Sequence, residues 1–444
     1  MRRPTPIPSA PTTSDPAGTA FACIFGLLLG VGLLKFGNPV LLDRLVDMPR
    51  TLDEWRAFAW PLRLAFLALV PVAFFGLWVG LRLPSRPVAP RLLLALPLVW
   101  LAWQTLAASQ TIDPAATRSV LPQLGATVVC FFLGYGVLSR VAEPRVFWLC
   151  LTFGLVGVLG MAFEQRFGGL EATRRMILEQ PNAAALPPEY LARIQSDRVF
   201  STLVYPNALA GALLLLVPVG ATVAWHFGHR WGQPAARALG AGVILAGIAA
   251  LIWSGSKAGW LIAMGLGVVI LCHSSLSQRF KLTLVVGLMV TGLAGFAWAY
   301  AEKLRGGATS VAARFDYWEA ALEGAVERPL VGHGPGAFKR VYSRLKRPES
   351  EMAQLAHNDY LQQATDSGWP GFLAYLGWIW GVIGYIYRKS SGNGTPIERA
   401  VGLGLLGWFT QGWVEFGLYL PATAWCAFTL LGWLLAQWSS TRPP

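Results

Sequence analysis

The chain has 444 residues, of which 54% are hydrophobic and only 13% are charged, and its mean hydropathy is +0.48. Apolar residues in long runs at this proportion exclude an ordinary soluble domain and predict an all-α polytopic membrane protein. The formal net charge of +13 is explained below by membrane topology, so we expect no nucleic-acid partner.

The chain begins with a polar stretch rich in Pro, Ser and Thr, which we interpret as a disordered cytoplasmic tail at residues 1–17. The apolar run that follows ends at Lys35 without a small-residue cleavage pattern, which favours a retained signal anchor over a secretory peptide. From here on, apolar runs predict about twelve transmembrane helices. They fall at about 18–36, 58–81, 92–109, 119–138, 146–163, 201–225, 239–254, 258–272, 282–300, 368–387, 400–417 and 420–438.

The charges between these runs support the count. With the N-terminus in the cytoplasm, fifteen basic residues and three acidic ones lie on the cytoplasmic face, as the positive-inside rule expects. The organisation that follows has five parts. They are the tail at 1–17, nine helices with a periplasmic loop at 164–200 inside 18–300, a large periplasmic loop at 301–367, three helices at 368–438, and a cytoplasmic tail at 439–444.

The large loop is expected to be partly helical. Arg314, Trp318, Leu322 and Ala325 recur at helical spacing, and Pro329 ends the pattern. The glycines of 332–336 then predict an irregular turn. The basic cluster after this turn is interpreted either as a solvated helical face or as a surface for anionic lipid headgroups. Its members are Lys339, Arg340, Arg344, Lys346 and Arg347.

The end of the large loop holds the most informative pair, His357-Asn358, followed by Gly368 and Gly371. An imidazole beside a carboxamide where a loop re-enters the bilayer indicates a functional site. A neutral imidazole can take a proton near pH 7, and Asn358 can bind hydroxyl groups. Glycines in the next helix permit close packing. The five cysteines have no CxxC spacing, so we expect neither a disulfide framework nor a zinc site.

Five segments in this order and spacing resemble the O-antigen ligase / O-antigen polymerase family of bacterial membrane glycosyltransferases. The resemblance is close over about residues 195–375, and one position departs from it, because the family usually has Arg where this chain has Lys257. A lysine does not give the bidentate grip on phosphate that arginine gives. The segments are 198–210, 254–259, 314–318, 332–338, and His357-Asn358 with Gly368 and Gly371.

The resemblance implies a GT-C-like helical fold in the bacterial inner membrane with its active site facing the periplasm. It also implies transfer of a glycan from undecaprenyl pyrophosphate to a hydroxyl of a lipid or glycan acceptor, with membrane lipids around it and no metal ion or other cofactor. The chain has no Asp-x-Asp to hold a divalent ion, so cationic side chains must neutralise the leaving pyrophosphate.

Arg198, Arg314 and His357 are therefore the catalytic candidates. The two arginines lie beside the outer ends of spans, and arginine suits pyrophosphate by its permanent charge and forked donors. His357 is the candidate base or acceptor-orienting group. The substrate-binding candidates are Asn358, Lys257, Asn207, Tyr205, His333 and Trp318. Of these, His333 in its glycine turn is also explained by a structural role, and Trp318, with Trp369, is a candidate for glycan stacking.

Two alternatives stay open. Ligase and exopolysaccharide polymerase use the same kind of donor and differ in the acceptor, so these residues do not separate them. A membrane solute transporter is the alternative of another class; it predicts broken helices and midplane charges in two related halves. Here the charges lie at span ends and in loops, apart from Arg63 and Glu415, and we find no inverted repeat.

Overall fold

The computed structural model describes residues 15–83, 87–178, 196–203, 205–305, 309–348, 350–390 and 394–439. Most of the predicted cytoplasmic tails, and much of the loop at 164–200, lie outside the described residues. All regular secondary structure in the described ranges is helical, which confirms the all-α class. Its sixteen α-helices are α1 Pro16–Lys35, α2 Leu52–Ala57, α3 Leu62–Arg82, α4 Arg91–Ala108, α5 Pro114–Gly136, α6 Arg145–Glu164, α7 Leu170–Leu178, α8 Pro206–Gly228, α9 Gln233–Ser254, α10 Lys257–Cys272, α11 Gln278–Arg305, α12 Thr309–Glu327, α13 Phe338–Leu345, α14 Asp359–Ser390, α15 Pro396–Gln411 and α16 Pro421–Ser439.

Seven of these stretches are long and apolar enough to cross a membrane, within the described residues. They are Pro16–Lys35, Leu62–Arg82, Arg91–Ala108, Pro114–Arg140, Arg145–Ala172, Pro206–Trp231 and Gln233–Ser254. The chain is thus a multi-pass membrane protein. The other five expected spans coincide with α10, α11, the second half of α14, α15 and α16, so the total of twelve stays a prediction.

Several helices begin where a side chain satisfies free backbone N–H groups. Asp15 accepts from Gly18 N at the start of α1 and Asp113 from Ala116 N at the start of α5, at 2.9 and 3.1 Å. Thr395 and Glu398 form a reciprocal capping box at α15. Each cap removes an unpaired donor that apolar surroundings would penalise. Helix α1 starts at Pro16, so the expected tail at 1–17 overlaps it by two residues.

The bundle is held by close helix pairs. Helix α1 packs on α6, α5 on α16, α8 on both α9 and α15, and α4 on α14. Glycines permit the closest approaches: a Cβ at Gly134 would stand 2.1 Å from the carbonyl oxygen of Thr429, and one at Gly404 equally close to that of Leu215. Small residues at these crossings let backbones meet, as membrane helices require.

The expected loop at 301–367 contains the end of α11, then α12, α13 and the first residues of α14. Helix α12 ends at Glu327, so the helix predicted to stop before Pro329 is confirmed. The predicted irregular turn is confirmed as well, because Gly332, Gly334 and Gly336 all have positive φ. A small apolar cluster, separate from the main core, joins α12 and α13 through Tyr317, Ala321, Phe338 and Tyr342.

Helix α14 changes direction at Ser367 and Gly368, whose backbone angles are not helical. Its first part contacts α12, where the hydroxyl of Thr365 donates to Ala321 O, and Gly377 in its later part faces Leu96 of α4. Gly368 has φ +70°, and a Cβ there would stand 2.5 Å from the carbonyl oxygens of Pro329 and Leu330. Only glycine fits this kink without strain, which explains the Gly368 that the sequence analysis singled out.

Candidate active site

Four segments that are distant in sequence meet at one buried carboxylate, that of Glu415 in the turn between α15 and α16. Glu415 Oε1 accepts hydrogen bonds from Asn207 Nδ2, at 2.6 Å, and from Arg314 Nη2, while Oε2 lies 3.3 Å from His357 Nδ1. The residue is only 5% exposed. Glu415 therefore joins three of the residues predicted from the sequence into one cluster.

Arg198 extends the same cluster. Its Nε donates to the carbonyl oxygen of Ser254 at 2.8 Å, and its Nη2 donates to Asn207 Oδ1 at 2.7 Å. Gly255, in a left-handed conformation at the end of α9, lies against this guanidinium: a Cβ at Gly255 would be 3.2 Å from Arg198 Nε. Asn207 thus connects the two charged residues, with its oxygen toward Arg198 and its nitrogen toward Glu415.

The electrostatics of the cluster favour an anion. Burial opposes ionisation of Glu415 and by itself would raise its pKa, but the hydrogen bond from His357 and the charge of Arg314 outweigh burial, so the net shift lowers that pKa. One carboxylate then faces two permanent cations, Arg198 and Arg314. Arg314 Nε is also buried and makes no hydrogen bond to any described residue. The site keeps an excess positive charge and a spare donor.

His357 is held in an uncommon backbone conformation and between aromatic rings. Its φ is +50°, a region that costs a non-glycine residue free energy and recurs at functional sites. The ring stacks on Tyr317, with centroids 5.7 Å apart, and meets Phe416 edge-on at 4.8 Å. These contacts fix the plane of the imidazole, and its side chain is still 17% exposed.

The contact with Glu415 also selects the tautomer of His357. A carboxylate accepts hydrogen bonds, so it places the proton of the neutral imidazole on Nδ1 and leaves a lone pair on Nε2. Nε2 makes no hydrogen bond to a described residue. The geometry therefore presents an available proton acceptor, oriented by a buried acid, next to two guanidinium groups.

A narrow cleft opens at this cluster, lined among others by Tyr205, Asn207, Gln411, Glu415 and Phe416. Tyr205 lies before α8 with its ring 6.1 Å from that of His357 and 5.4 Å from that of Phe416. The structure thus brings together Arg198, Tyr205, Asn207, Arg314 and His357 of the predicted site, and adds Glu415, which sequence reasoning noted only as a charge inside an apolar run.

The remaining candidates have other surroundings. Asn358 is buried, and its Oδ1 accepts from the backbone N–H groups of Tyr360 and Leu361, both at 3.0 Å, so it caps α14. Trp318 donates its ring N–H to the carbonyl oxygen of His357 at 3.4 Å. Lys257 begins α10 directly after the turn at Gly255 that contacts Arg198. Trp369 follows the kink of α14, where its backbone N–H donates to Pro329 O.

His333 lies apart from the cluster, at the base of the glycine turn. It is 1% exposed, its Nε2 is 3.1 Å from the carbonyl oxygen of Gly324, and its Nδ1 has no partner among the described residues. Burial lowers its pKa, which favours the neutral form. Its neighbours in a shallow groove are Arg328, Arg340 and Arg344. These contacts fit a structural role, in which His333 joins the glycine turn to α12 through Gly324.

A buried polar relay connects the glycine turn to the His357 segment. Gln362 Oε1 accepts from Ala356 N at 2.8 Å, and its Nε2 donates to Asp366 Oδ1 at 2.9 Å. Asp366 Oδ2 in turn accepts from Gly336 N at 2.8 Å and from the hydroxyl of Tyr419 at 3.0 Å. Since the Asp366 carboxylate accepts from the amide nitrogen of Gln362, the amide oxygen points to Ala356 N. The relay thereby holds the residue that precedes His357. The sequence reasoning did not identify this relay.

The described residues contain no group of three or more His, Cys, Asp or Glu side chains placed to hold a metal ion.

The basic cluster after the glycine turn forms ion pairs: Arg340 with Asp113, Arg344 with Glu327, and Arg347 with Asp316 and Glu319. These arginines are half or more exposed, so each pair adds little stability.

Fold and site together define a multi-pass helical membrane protein with a buried acid–imidazole pair beside two arginines. Residues 241–376 match the protein family described as O-Antigen ligase, whose members are membrane glycosyltransferase-like enzymes, so the resemblance found in the sequence is confirmed over that segment. The matched segment is less than a third of the chain. It includes Lys257, Arg314, His333 and His357, whereas Arg198, Asn207 and Glu415 lie outside it.

One similar protein comes from Haemophilus influenzae and is described as an uncharacterized protein. It is 24% identical over 147 residues, which are 28% of this chain and 37% of that relative. The chain thus spans little more than a third of the length of the curated relative that it matches.

Proposed function

We propose that this protein is an O-antigen ligase-like glycosyltransferase of GT-C-like fold. It transfers a glycan from undecaprenyl pyrophosphate to a sugar hydroxyl of an acceptor, at the periplasmic face of the bacterial inner membrane and without a metal ion. The observation that carries the proposal is the contact of Asn207, Arg314 and His357 with the carboxylate of Glu415, to which Asn207 also connects Arg198.

The reaction assigns each group a role. The acceptor oxygen forms a bond to the anomeric carbon of the glycan while the bond from that carbon to the pyrophosphate oxygen breaks. The proton of the acceptor hydroxyl passes to Nε2 of His357, whose Nδ1–H stays bonded to Glu415. The electron pair of the broken bond leaves with undecaprenyl pyrophosphate, and Arg198 and Arg314 neutralise its charge.

Glu415 contributes both to the proton transfer and to the binding of the leaving pyrophosphate. It stabilises the imidazolium that forms on His357, as a buried acid does for a catalytic histidine. It also holds Arg314 and Asn207 in place before a substrate arrives, which reduces the ordering cost of binding. The cluster therefore combines a base and an anion site within one rigid frame.

A polymerase of the same family is the second candidate, because the family match does not separate the two activities. Both use a polyprenyl pyrophosphate donor, and the acceptor decides between them. The transporter alternative fits less well, since the charged cluster lies at helix ends and in turns: Arg198 precedes α8, His357 precedes α14 and Glu415 follows α15. A carrier requires ionisable residues near the middle of the spans.

The test is the glycan profile of a deletion strain complemented with wild type, His357→Asn or empty vector, with lipid-linked and finished glycans separated. Long glycan retained on undecaprenyl pyrophosphate in the absence of activity supports the ligase. Single repeats transferred without elongation identify the polymerase instead. Unchanged pools would reject both and favour a carrier. In a purified assay, release of undecaprenyl pyrophosphate should persist in EDTA; a strict requirement for added Mg²⁺ or Mn²⁺ would contradict the metal-independent step.

A further inference from the structure

Helix α12 exposes an apolar stripe that the site does not use. Phe315, Leu322 and Val326 are 61%, 43% and 69% exposed, and Leu330, just after the helix, is 67% exposed. Residues seven and eleven positions after the first lie on the same side of an α-helix. We call these four residues the α12 stripe. A row of exposed large apolar side chains of this kind marks an interaction site.

The stripe is not the face that packs on the protein. Tyr317, Ala320 and Ala321 point to the other side of α12, where they are buried against Phe338 and Tyr342 of α13. Glu323 and Glu327 form a charged flank between the two apolar sides, and Glu327 pairs with Arg344. Glu319, four residues after Phe315, lies within the stripe and pairs with Arg347. Helix α12 thus has one apolar face toward the protein, a charged flank, and a second, mainly apolar face whose large side chains are exposed.

One end of the stripe lies beside a candidate membrane span. The ring N–H of Trp103, near the end of α4, lies 3.1 Å from the carbonyl oxygen of Leu330, so the end of the stripe rests against α4. Helix α4 is one of the candidate membrane spans. Its Leu98, Val99 and Leu106 are 53%, 52% and 47% exposed. In a membrane protein such residues contact acyl chains, and the contact of Trp103 with Leu330 brings the end of the α12 stripe to this part of α4.

We propose that α12 is an interfacial helix, seated in the outer boundary of the bilayer with the α12 stripe among the acyl chains and its glutamate flank toward water. The occupant of the stripe is membrane lipid. An amphipathic helix lying in the interface buries its apolar face a few ångströms below the headgroups, about 5–10 Å in typical cases. The proposal concerns the placement of α12 and does not depend on the chemistry of the site.

The placement has a consequence for the site. Arg314 is on the same helix, one residue before Phe315, and contacts Glu415. Lipid seating of α12 therefore fixes Arg314 at headgroup depth, where the pyrophosphate of a polyprenyl carrier lies. This second statement rests on the proposed function, whereas the seating can be measured without any substrate.

The experiment places nitroxide labels on the full chain in nanodiscs of phosphatidylethanolamine and phosphatidylglycerol. Cys23, Cys150 and Cys272 are replaced by Ser, and the buried Cys130 and Cys426 stay. Single cysteines are introduced as Leu322→Cys and Val326→Cys on the stripe, and as Glu323→Cys and Glu327→Cys on the flank of the same helix. Collision rates with O₂, which concentrates in acyl chains, and with a soluble nickel chelate are then compared.

Labels on the stripe are expected to collide more with O₂ than with the nickel chelate, and labels on the flank the reverse. Equal preference for the nickel chelate at all four positions would overturn the proposal. Dipolar broadening that grows with protein per disc would identify a second copy of the chain as the occupant and would also overturn it. Because two positions are labelled on the stripe and two on the flank, the two faces can still be compared if one variant fails to fold. Because the readout needs no transfer activity, its outcome is independent of the proposed reaction.

Discussion

Glu415 Oε2 lies 3.3 Å from His357 Nδ1, although 58 residues separate them in the chain. The contact forms because the turn after α15 returns to the start of α14: the backbone N–H of Asp359 donates to Gly412 O and to Glu415 O, at 2.7 and 3.1 Å. The same carboxylate also contacts Asn207 and Arg314, so a single side chain couples the imidazole to the cationic part of the site.

Replacing this carboxylate by an amide should disable the site. In Glu415→Gln the amide nitrogen has to face either His357 Nδ1–H or the donors of Asn207 and Arg314. At that contact two N–H donors then face each other and no hydrogen bond forms. We expect transfer to fall by about 100-fold or more, the range of lost acid–base assistance, with some loss of stability because Arg314 loses a buried partner. The measurement is undecaprenyl pyrophosphate released per folded protein.

Two variants control this prediction. Glu415→Asp keeps the charge and should recover part of the activity, while Glu327→Gln, which alters an exposed pair with Arg344, should behave as wild type. Wild-type transfer by Glu415→Gln would remove Glu415 from the mechanism.

The conformation of His357 requires a careful choice of substitution. Asparagine tolerates the left-handed region better than alanine, so His357→Asn removes the imidazole at smaller backbone cost than His357→Ala. Both variants should lose transfer by about 100-fold or more, and only His357→Ala should melt clearly lower. His226→Asn, at an exposed position of α8, is the matched control. Substantial transfer by the well-folded His357→Asn would exclude His357 as the base.

Arg198 should act through donor binding. Arg198→Lys keeps one positive charge but replaces the two separate donor nitrogens, Nε and Nη2, that bind Ser254 O and Asn207 Oδ1 with a single ammonium. Loss of a hydrogen bond to a charged group costs about 1.5–3 kcal/mol, so the KM for the lipid-linked donor should rise roughly tenfold or more, and Arg198→Ala should be weaker still. Arg175→Ala, 71% exposed on α7, should leave KM unchanged. An unaltered KM in Arg198→Lys would indicate a structural residue.

Asp366 should give the stability of the protein a distinct pH dependence. Burial raises its pKa from 3.8 to about 7, against the hydrogen bonds from Gly336, Tyr419 and Gln362. Because the folded-state value lies above the unfolded one, the fold favours the protonated form, and this contribution is complete below about pH 4 and lost as the pH rises to about 7.

The difference in melting temperature between wild type and Asp366→Asn should therefore change across pH 4–7 and stay constant above it. Asp53→Asn, at an exposed position of α2, should show no such change. A difference that is flat from pH 4 to pH 8 would show that Asp366 does not titrate in this window.

The kink of α14 should not tolerate a side chain. Gly368 has φ +70°, and an added Cβ would stand 2.5 Å from two carbonyl oxygens, whereas a Cβ at Gly384 of the same helix has no atom within 4 Å. Gly368→Ala should lower the free energy of unfolding by more than about 1 kcal/mol. The melting temperature and the transfer activity should therefore fall together. Gly384→Ala should be neutral or slightly stabilising, since alanine favours a helix. Equal melting temperatures for both variants would contradict the requirement for glycine at the kink.

Local pattern in the sequence was sufficient for several features. Long apolar runs exclude a soluble fold, because buried backbone groups in lipid must bond within a helix. The spacing of Arg314, Trp318 and Leu322 located α12, and the glycines at 332, 334 and 336 located the turn, since both depend on neighbours within a few residues. Motif order also indicated Arg198, Arg314 and His357 before their arrangement was known.

Other features depended on contacts between distant segments. Local spacing predicts His357-Asn358 as a functional pair, yet Asn358 caps α14 while His357 alone reaches the cluster. Glu415 is a lone carboxylate inside an apolar stretch, and His333 lies in a similar motif but apart from the site. The sequence by itself determined where the long apolar helices lie and which polar residues are costly to bury. Only the tertiary structure decided which of them meet, because the partner of a buried charge depends on which helix ends the packing brings together.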